Sequence, residues 1–283
     1  MRIWSPTFRG SRIVAGPDSL FDLEAYLRRI GLASASPDAG GLRTLQQAHM
    51  RAVPFENFDS LLGRVPVLGL PELFSKIVDD RRGGYCFEQN GGFGEALKSA
   101  GFPVSRRLAR VRMRMGPDGG RSHLLLIVEA DGRRFLADAG FGGPGPLLPL
   151  DLDLEGEQQA PNGTYRVHYD AERGERVLQR LEAGEWADLY AFDDARVTDG
   201  DIASANFVCA VSAEAPFGSH LMFGCYRGDT RYGLFDRALT IEAPSGEERR
   251  EIADLEEFSR FIVETAGLAL PHETLAAAWE KIG

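Results

Sequence analysis

The chain changes its hydrophobic period near residue 100, and this change constrains its fold more than any other feature of the sequence. Before that point the pattern is helical. In SLFDLEAYLRRIGL apolar residues recur every three or four positions, and the segment ends at Gly31, as helices that close on a glycine do. GLRTLQQAHMRAV and PELFSKIVDD continue this pattern. We therefore expect a helical subdomain over residues 1–100.

Residues 101–200 instead alternate between polar and apolar side chains, which is the period of a β-strand. RRLARVRMRM places Arg110, Arg112 and Arg114 on one face and apolar residues on the other. SHLLLIVEA and RRFLADAG flank Asp131-Gly132, a dipeptide typical of two-residue hairpin loops. TYRVHYD, RVLQRLEAG and EWADLYAF have the character of further strands. The middle third is predicted to be antiparallel β-structure.

Residues 201–283 combine both patterns. LMFGCYRGD and RYGLFDRALTI are typical of strands, whereas DLEEFSRFIVETAG and PHETLAAAWEKI are typical of helices. The order of these patterns predicts an α+β fold with three subdomains, divided near residues 100 and 200.

The composition is that of an acidic globular protein, with 43% hydrophobic residues and a formal charge of −10. This charge argues against general nucleic-acid binding. The basic N-terminal stretch MRIWSPTFRGSRIVAGPDS contains no apolar run long enough for a signal peptide, and no later segment approaches a membrane span. We therefore expect a cytoplasmic protein. The sequence does not indicate its oligomeric state.

Cys86 is the first candidate for chemistry. The three cysteines, Cys86, Cys209 and Cys225, are widely spaced and form no CxxC pair, which predicts reduced thiols and neither a disulfide framework nor a zinc site. Cys86 follows Gly83-Gly84 and precedes a helical segment, so the helix start is expected to lower its thiol pKa, and the glycines are expected to let an acyl donor approach the backbone. The competing interpretation is a buried apolar cysteine.

His123 and Asp138 are the second candidate pair. A two-residue loop at Asp131-Gly132 places Leu125 opposite Asp138, so His123 and Asp138 lie diagonally on one face of adjacent strands. An imidazole with an orienting carboxylate is the usual partner of a nucleophilic cysteine. The remaining histidines lack a comparable carboxylate in the sequence and are expected to be solvated or locally bonded: His49, His168, His220 and His272.

Four ordered motifs carry a resemblance to a known family. VPFENFD, RRGGYCFEQN, SHLLLIV and FLADAGFGG resemble the motifs of the arylamine N-acetyltransferases. The resemblance covers nearly the whole chain. It implies a helical bundle over 1–100 with the nucleophile, an antiparallel β-barrel over 101–200 with the histidine and aspartate, and an α/β lid over 201–283. The implied Cys-His-Asp core is the one shared by papain-like and transglutaminase-like enzymes.

The resemblance also implies an activity and residue roles. Cys86 is expected to accept an acetyl group from acetyl-CoA and pass it to an arylamine or hydrazine, with His123 as base and Asp138 orienting it. Acetyl-CoA is then a substrate, and no metal or bound cofactor is implied. The residues that the resemblance places at substrate are Phe55, Phe141, Phe217, Gly119, Gly120 and Ser212. Simple core packing is the competing interpretation for the phenylalanines.

Two features leave the acyl donor open. NFVCAVSAEAPF stands where the family commonly reads NWYxSTxPxSxF, so Val211 and Ala215 replace hydroxyl residues and leave Ser212 nearby. The arginines at 106, 107, 110, 112, 114 and 121 form either a solvated strand face or a contact for the phosphates of CoA.

Three alternatives to acetyl transfer remain at the level of sequence. An amide synthase of the same fold would take its acyl group from a carrier protein, and the missing hydroxyls favour it slightly. A cysteine hydrolase would use the same three residues. A binding module without catalytic activity would not need them, so an intact triad argues against it.

Overall fold

The computed structural model describes residues 21–113 and 116–283; the basic N-terminal stretch, Arg114 and Met115 lie outside these ranges. Its α-helices are α1 Leu23–Arg29, α2 Ala39–Ala52, α3 Phe58–Leu61, α4 Leu70–Phe74, α5 Cys86–Ser99, α6 Asp199–Val211, α7 Leu255–Arg260 and α8 His272–Lys281. Helices α4 and α7 continue into π-helical turns, Ser75–Asp79 and Phe261–Thr265, and a 3-10 turn spans Pro216–Gly218.

The described residues form two antiparallel sheets beside the helices. The strands are β1 Phe55–Glu56, β2 Val104–Val111, β3 Arg121–Ala130, β4 Arg133–Ala137, β5 Leu150–Asp151, β6 Gln158–Ala160, β7 Gly163–Asp170, β8 Glu175–Glu182, β9 Glu185–Phe192, β10 Met222–Arg227, β11 Thr230–Phe235, β12 Ala238–Ala243 and β13 Gly246–Glu251. The larger sheet has the order β5-β4-β3-β2-β9-β8-β7-β6 and forms a nearly closed barrel; the smaller has the order β1-β10-β11-β12-β13.

The β3–β4 hairpin has the predicted register. Leu126 pairs with Ala137, and the two loop residues Asp131 and Gly132 have φ angles of 52° and 74°. Positive φ at both loop positions is the requirement of a type I′ turn, which explains the Asp-Gly dipeptide. Because β4 ends at Ala137, Asp138 follows the last paired residue directly.

Strand β2 is shorter than the alternating pattern predicted. It ends at Val111, after which Arg112 donates its N–H to Leu189 and turns its guanidinium toward a group of carboxylates. Gly116, at φ 73°, completes the turn by donating to the carbonyl of Arg112. The N–H groups of Arg112 and Met113 both donate to the Leu189 carbonyl, so the regular pairing of β2 stops here, which hydrophobic alternation alone did not predict.

The smaller sheet combines four C-terminal strands with one strand, β1, from the helical region. Strand β1 pairs with β10, with Phe55 opposite Gly224, although more than 160 residues of chain separate them. RYGLFDRALTI forms two strands, because Asp236 at φ 51° turns the chain between β11 and β12. Helix α6 and the exposed strand β13 were not predicted from the sequence.

One apolar cluster fixes helix α5 against the barrel. Phe93, Ala96 and Leu97 of α5 are buried together with Leu126 and Val128 of β3. Burying an apolar side chain of this size stabilises the folded chain by about 1.5–3 kcal/mol. The α+β prediction is confirmed, and the subdomain limits near 100 and 200 stay predictions.

Candidate active site

Cys86 is the first residue of helix α5. The carboxylate of Glu88 accepts the N–H of Tyr85 at 3.1 Å and so caps the helix where Cys86 begins it. The thiol is buried, and its Sγ lies 3.8 Å from the carbonyl oxygen of Ser122, the residue immediately before His123. The start of the helix therefore brings the thiol to the base of β3.

A buried network of charges holds the loop in front of Cys86. The guanidinium of Arg82 donates hydrogen bonds to both carboxylate oxygens of Glu56. The Nζ of Lys76 lies 2.5 Å from the carboxylate of Glu88 and 2.6 Å from that of Asp59. Burial raises the pKa of Glu88 to about 7, although Lys76 acts to lower it. These charges tie the loop to the turn after α4. Sequence reasoning gave none of these side chains a role, because their partners are far apart in the chain.

The two glycines before Cys86 serve packing within the chain. A Cβ on Gly83 would lie 1.8 Å from the carbonyl oxygen of Pro54, and a Cβ on Gly84 would lie 2.7 Å from the Cβ of Glu88. Contacts this short exclude a side chain at either position. The close approach of the Pro54 carbonyl therefore explains Gly83, and the Glu88 side chain explains Gly84. Access of an acyl donor past these glycines stays a prediction.

His123 and Asp138 form the predicted pair. The Nε2 of His123 lies 2.7 Å from Oδ2 of Asp138, and both residues are buried. This bond leaves Nδ1 as the ring nitrogen available on the other side. Both residues are near Cys86: besides burial, the charge of Asp138 contributes to raising the pKa of the Cys86 thiol, and a Cβ on Gly140, two residues after Asp138, would come within 2.9 Å of the Cys86 Cα. Helix α5, strand β3 and the end of β4 thus bring three side chains to one place.

Two further side chains hold the carboxylate. Asn90 of helix α5 donates its amide to Oδ1 of Asp138 at 2.8 Å, and Tyr190 of β9 donates its hydroxyl to Oδ2 at 2.8 Å. The Tyr190 ring also lies 4.8 Å from the ring of His123. Sequence reasoning missed both residues. Asn90 lies one helical turn after Cys86, so its spacing from the cysteine was a usable signal.

The carboxylate is ionised. Burial alone would raise its pKa, but the neighbouring His123 and hydrogen bonds from His123, Asn90 and the Gly140 N–H lower the pKa of Asp138 below its usual value. Burial, followed by the charge of Asp138, raises the pKa of Tyr190 well above the ordinary range. Tyr190 therefore keeps its proton and remains a donor to the carboxylate.

The thiol has the opposite tendency. Burial raises the pKa of Cys86 well above its usual value, the neighbouring Cys209 adds to the rise, and the N–H groups of Leu124 and Phe87 oppose it without offsetting it. The expected lowering of this pKa is therefore wrong, because loss of water around the sulfur outweighs the helix start. The thiol needs an adjacent base to lose its proton.

Aromatic rings surround these residues on two sides. Phe141 lies 5.1 Å from His123, whereas Phe217 lies 5.2 Å from Tyr85 and 6.5 Å from Phe55. Phe141 and Phe217 are partly exposed, so their rings can contact a ligand. Phe55 also explains Gly142, whose φ is 74° and whose Cβ would lie 2.3 Å from the Phe55 ring. The structure thus places all three predicted phenylalanines around the site.

Two of the three small residues predicted to bind substrate make local hydrogen bonds, and the third is exposed. Gly119 accepts a hydrogen bond from Arg110 at 2.7 Å, and Gly120 is exposed in the same loop before β3. Ser212 ends helix α6, and its hydroxyl accepts the N–H of Glu214 at 3.2 Å. Val211, the last residue of α6, is 52% exposed. A role for these residues in binding substrate stays a prediction.

Carboxylates of the same chain neutralise the arginines of the barrel. The pairs are Arg106–Asp199, Arg107–Asp194, Arg110–Glu175, Arg112 with Asp170, Glu175 and Asp188, and Arg121–Asp193. Neither of the two sequence interpretations included this pairing. An anionic ligand would have to displace an internal carboxylate to bind these guanidinium groups.

Two histidines differ from the prediction. His220 has a carboxylate partner, since its Nδ1 lies 2.7 Å from Asp236, and its ring stacks on Phe235. His49 is buried between Tyr26 and Gln89, each at 2.6 Å from one of its ring nitrogens. Burial lowers the pKa of His49 to about 4, so this ring is neutral. The sequence could not reveal these partners because both arise from tertiary contacts.

The described part of the chain shows no cluster of three or more His, Cys, Asp or Glu side chains arranged for a metal ion. Within residues 21–113 and 116–283, none of the helices combines the length and the apolar character that crossing a bilayer requires.

The helices, the barrel and the proximity of Cys86, His123 and Asp138 are typical of α+β enzymes with a Cys-His-Asp core. The N-acetyltransferase family model matches residues 38–275. The chain is 36% identical over 235 residues to the arylamine N-acetyltransferase of Mycolicibacterium smegmatis, covering 80% of this chain and 84% of that protein. The chain therefore belongs to the arylamine N-acetyltransferase family and is an acyltransferase.

Solved structures of the family share the fold. The arylamine N-acetyltransferase of Salmonella typhimurium superimposes with a TM-score of 0.86 at 32% identity, covering 91% of this chain and 97% of that one. The Mycobacterium marinum arylamine N-acetyltransferase in complex with CoA gives a TM-score of 0.86 at 31% identity, covering 92% and 99%. The predicted family is thus confirmed in both sequence and fold.

Proposed function

We propose that this chain transfers an acetyl group from acetyl-CoA to an arylamine or hydrazine through an acetyl-cysteine on Cys86. The observation that carries the proposal is the 2.7 Å bond between His123 and the ionised Asp138, next to a buried thiol at a helix start. The CoA complex of the Mycobacterium marinum relative supports acetyl-CoA as the donor. The comparisons do not favour the amide-synthase alternative.

In the first half-reaction, His123 removes the thiol proton as the sulfur attacks the thioester carbonyl carbon. Asp138 stabilises the imidazolium that forms. The capping contact of α5 uses the N–H of Tyr85, which leaves the N–H of Cys86 as an oxyanion donor. The carbon–sulfur bond to CoA then breaks, and CoA leaves with the proton from His123. The product is acetyl-Cys86.

In the second half-reaction the amine nitrogen attacks the acetyl carbon. His123 accepts the proton that the nitrogen loses and returns it to the Cys86 sulfur as the thioester breaks. An aromatic amine suits this step because its nitrogen is largely unprotonated at neutral pH. The partly exposed rings of Phe141 and Phe217 offer stacking surfaces for such an amine. The proposed reaction uses neither a metal nor a resident cofactor.

Intact-protein mass after incubation with acetyl-CoA tests the proposal. We expect the wild-type mass to rise by one acetyl group. It should return to its starting value when an arylamine such as aniline is added, with acetanilide as the product. Cys86→Ala should gain no acetyl group while keeping the wild-type circular dichroism spectrum.

Cys225→Ala is the matched control, because Cys225 is also buried but lies in the C-terminal core. It should acylate as the wild type does. Acetylation of Cys86→Ala by acetyl-CoA contradicts the proposal. So does a wild-type acetyl-enzyme that, with the amine present, loses its acetyl group only to water.

A further inference from the structure

Two buried thiols meet one carbonyl oxygen at the candidate active site. The Sγ of Cys86 lies 3.8 Å from the oxygen of Ser122, and the Sγ of Cys209 lies 3.5 Å from the same oxygen. The cysteines come from different helices, α5 and α6, and belong to one apolar cluster with Tyr85 and Phe87. They are neighbours in space although their positions in the chain give no hint of it.

The proposed acetyl transfer uses only one of these thiols. Cys209 is buried, and burial raises its pKa to about 11, so it keeps its proton at neutral pH. It is a poor nucleophile toward a free reagent, but its position beside Cys86 gives it a high effective concentration toward an electrophilic sulfur there. Cys225 is equally buried and has the same raised pKa of about 11, but lies on β10 in the separate C-terminal core.

We propose that Cys86 and Cys209 form a disulfide when a peroxide oxidises Cys86, and that Cys209 thereby makes this oxidation reversible. The inference uses the proposed reactivity of Cys86 but does not require acetyl transfer. It assigns a role to a cysteine on a helix that the sequence analysis did not predict.

The chemistry proceeds in two balanced steps. The Cys86 sulfur attacks one oxygen of hydrogen peroxide, the O–O bond breaks, and Cys86 sulfenic acid and one water form. The Cys209 sulfur then attacks the Cys86 sulfur, an S–S bond forms, and the departing hydroxide takes the Cys209 proton as a second water. Two thiols lose two electrons and one peroxide gains them.

The bond requires the two side chains to move. A disulfide joins sulfur atoms at about 2.05 Å, so both side chains must turn from the Ser122 oxygen toward each other. Without a partner, the sulfenic acid would react with more peroxide and become sulfinic acid, which thiol reductants do not reverse. A neighbouring thiol therefore decides whether oxidation of the nucleophile is temporary or permanent.

Peptide mapping of the peroxide-treated, full-length protein tests the inference. Cleavage after arginine and lysine places Cys86 in the peptide 83–98, while Cys209 and Cys225 share the peptide 197–227. The Cys225→Ser variant therefore identifies the partner. We expect peroxide, followed by alkylation of the remaining thiols, to give a linked 83–98/197–227 pair in this variant, and dithiothreitol to separate it.

Recovery of activity is the second readout. After peroxide and then dithiothreitol, wild type and Cys225→Ser should regain nearly all acetyl transfer, whereas Cys209→Ser should regain less than about a tenth, because its Cys86 reaches the sulfinic state. Absence of the linked pair in Cys225→Ser, or equal recovery in Cys209→Ser, overturns the inference. A linked pair in an enzyme that forms no acetyl-cysteine leaves the disulfide standing and removes the proposed acetyl transfer instead.

Discussion

Asp138 accepts hydrogen bonds at both of its oxygens, and in the proposed mechanism its charge stabilises the imidazolium of His123. Replacing it with asparagine keeps the shape but removes the charge that stabilises an imidazolium on His123. We expect Asp138→Asn to lower kcat/KM by on the order of a thousandfold or more. Steady-state kinetics with acetyl-CoA and aniline measure the loss.

Asp153→Asn is the control for this prediction, because Asp153 is an exposed carboxylate paired with Arg134. It should leave kcat/KM within about twofold of wild type, since exposed ion pairs contribute little. Near-normal turnover of Asp138→Asn would mean that the carboxylate only supports the fold.

Tyr190 acts on the same carboxylate through one hydrogen bond. Tyr190→Phe removes that bond and keeps the ring against His123, so we expect kcat/KM to fall by about tenfold, the equivalent of one hydrogen bond to a charged group. Losing a donor to the ionised form also raises the pKa of Asp138. The acid limb of the pH–kcat/KM profile should therefore move to higher pH. An unchanged profile would show that Tyr190 serves only as packing.

At the scale of elements, the site depends on how closely the end of β4 approaches the start of α5. Gly140→Ala would place a Cβ 2.9 Å from both the Cys86 Cα and the side-chain nitrogen, Nδ2, of Asn90. The clash must separate the two elements, so we expect kcat to fall more than about tenfold and the free energy of unfolding to fall by about 1–3 kcal/mol. Kinetics and urea denaturation measure the two effects.

Gly143→Ala is the matched substitution in the same loop, because a Cβ there meets nothing within 4 Å. We expect wild-type turnover and stability for it. If Gly140→Ala behaves like Gly143→Ala, the close approach of the two elements does not matter for catalysis.

The sequence predicted those elements whose signals are local. The Asp-Gly turn specified the β3–β4 register, and through it the His123–Asp138 contact. Helix α6 was missed because its amphipathic pattern is weak: Phe207, Val208 and Val211 of this helix are exposed.

The close packing around the glycines of α5 could not be predicted from the sequence either. The glycines inside α5 are unfavourable in a helix by about 1 kcal/mol each. Their reason is visible only in three dimensions, where a Cβ on Gly92 would lie 2.9 Å from Ile77 and one on Gly91 would lie 3.1 Å from Leu73. Tyr190 was likewise unpredictable as a partner of Asp138, since it comes from a distant strand, whereas the spacing of Asn90 from Cys86 was a signal that went unused.

At the scale of the whole molecule, internal charge pairing decides what the arginines do. Arg112 contacts three carboxylates, so Arg112→Met leaves them facing one another. We expect a loss of about 2–3 kcal/mol in the free energy of unfolding, less than a fully buried pair would give, because the Asp188 side chain is 36% exposed. The KM for acetyl-CoA should not change. Urea denaturation and donor kinetics measure the two quantities.

Arg134→Met provides the comparison, because Arg134 pairs with a carboxylate near the surface. Its cost should stay below about 1 kcal/mol. A raised donor KM together with unchanged stability in Arg112→Met would instead indicate contact with the phosphates of CoA.

The three candidate catalytic side chains stand on a helix, a strand and the residue after another strand, and the apolar cluster around Phe93 holds these pieces together. A nascent or damaged chain in which the helices have separated from the barrel keeps a thiol without a base, or a base without a thiol. Under the proposed mechanism, such a chain does not cleave thioesters and consumes no acyl donor. In this mechanism, reactivity toward the acyl donor appears only after the helices have packed against the barrel.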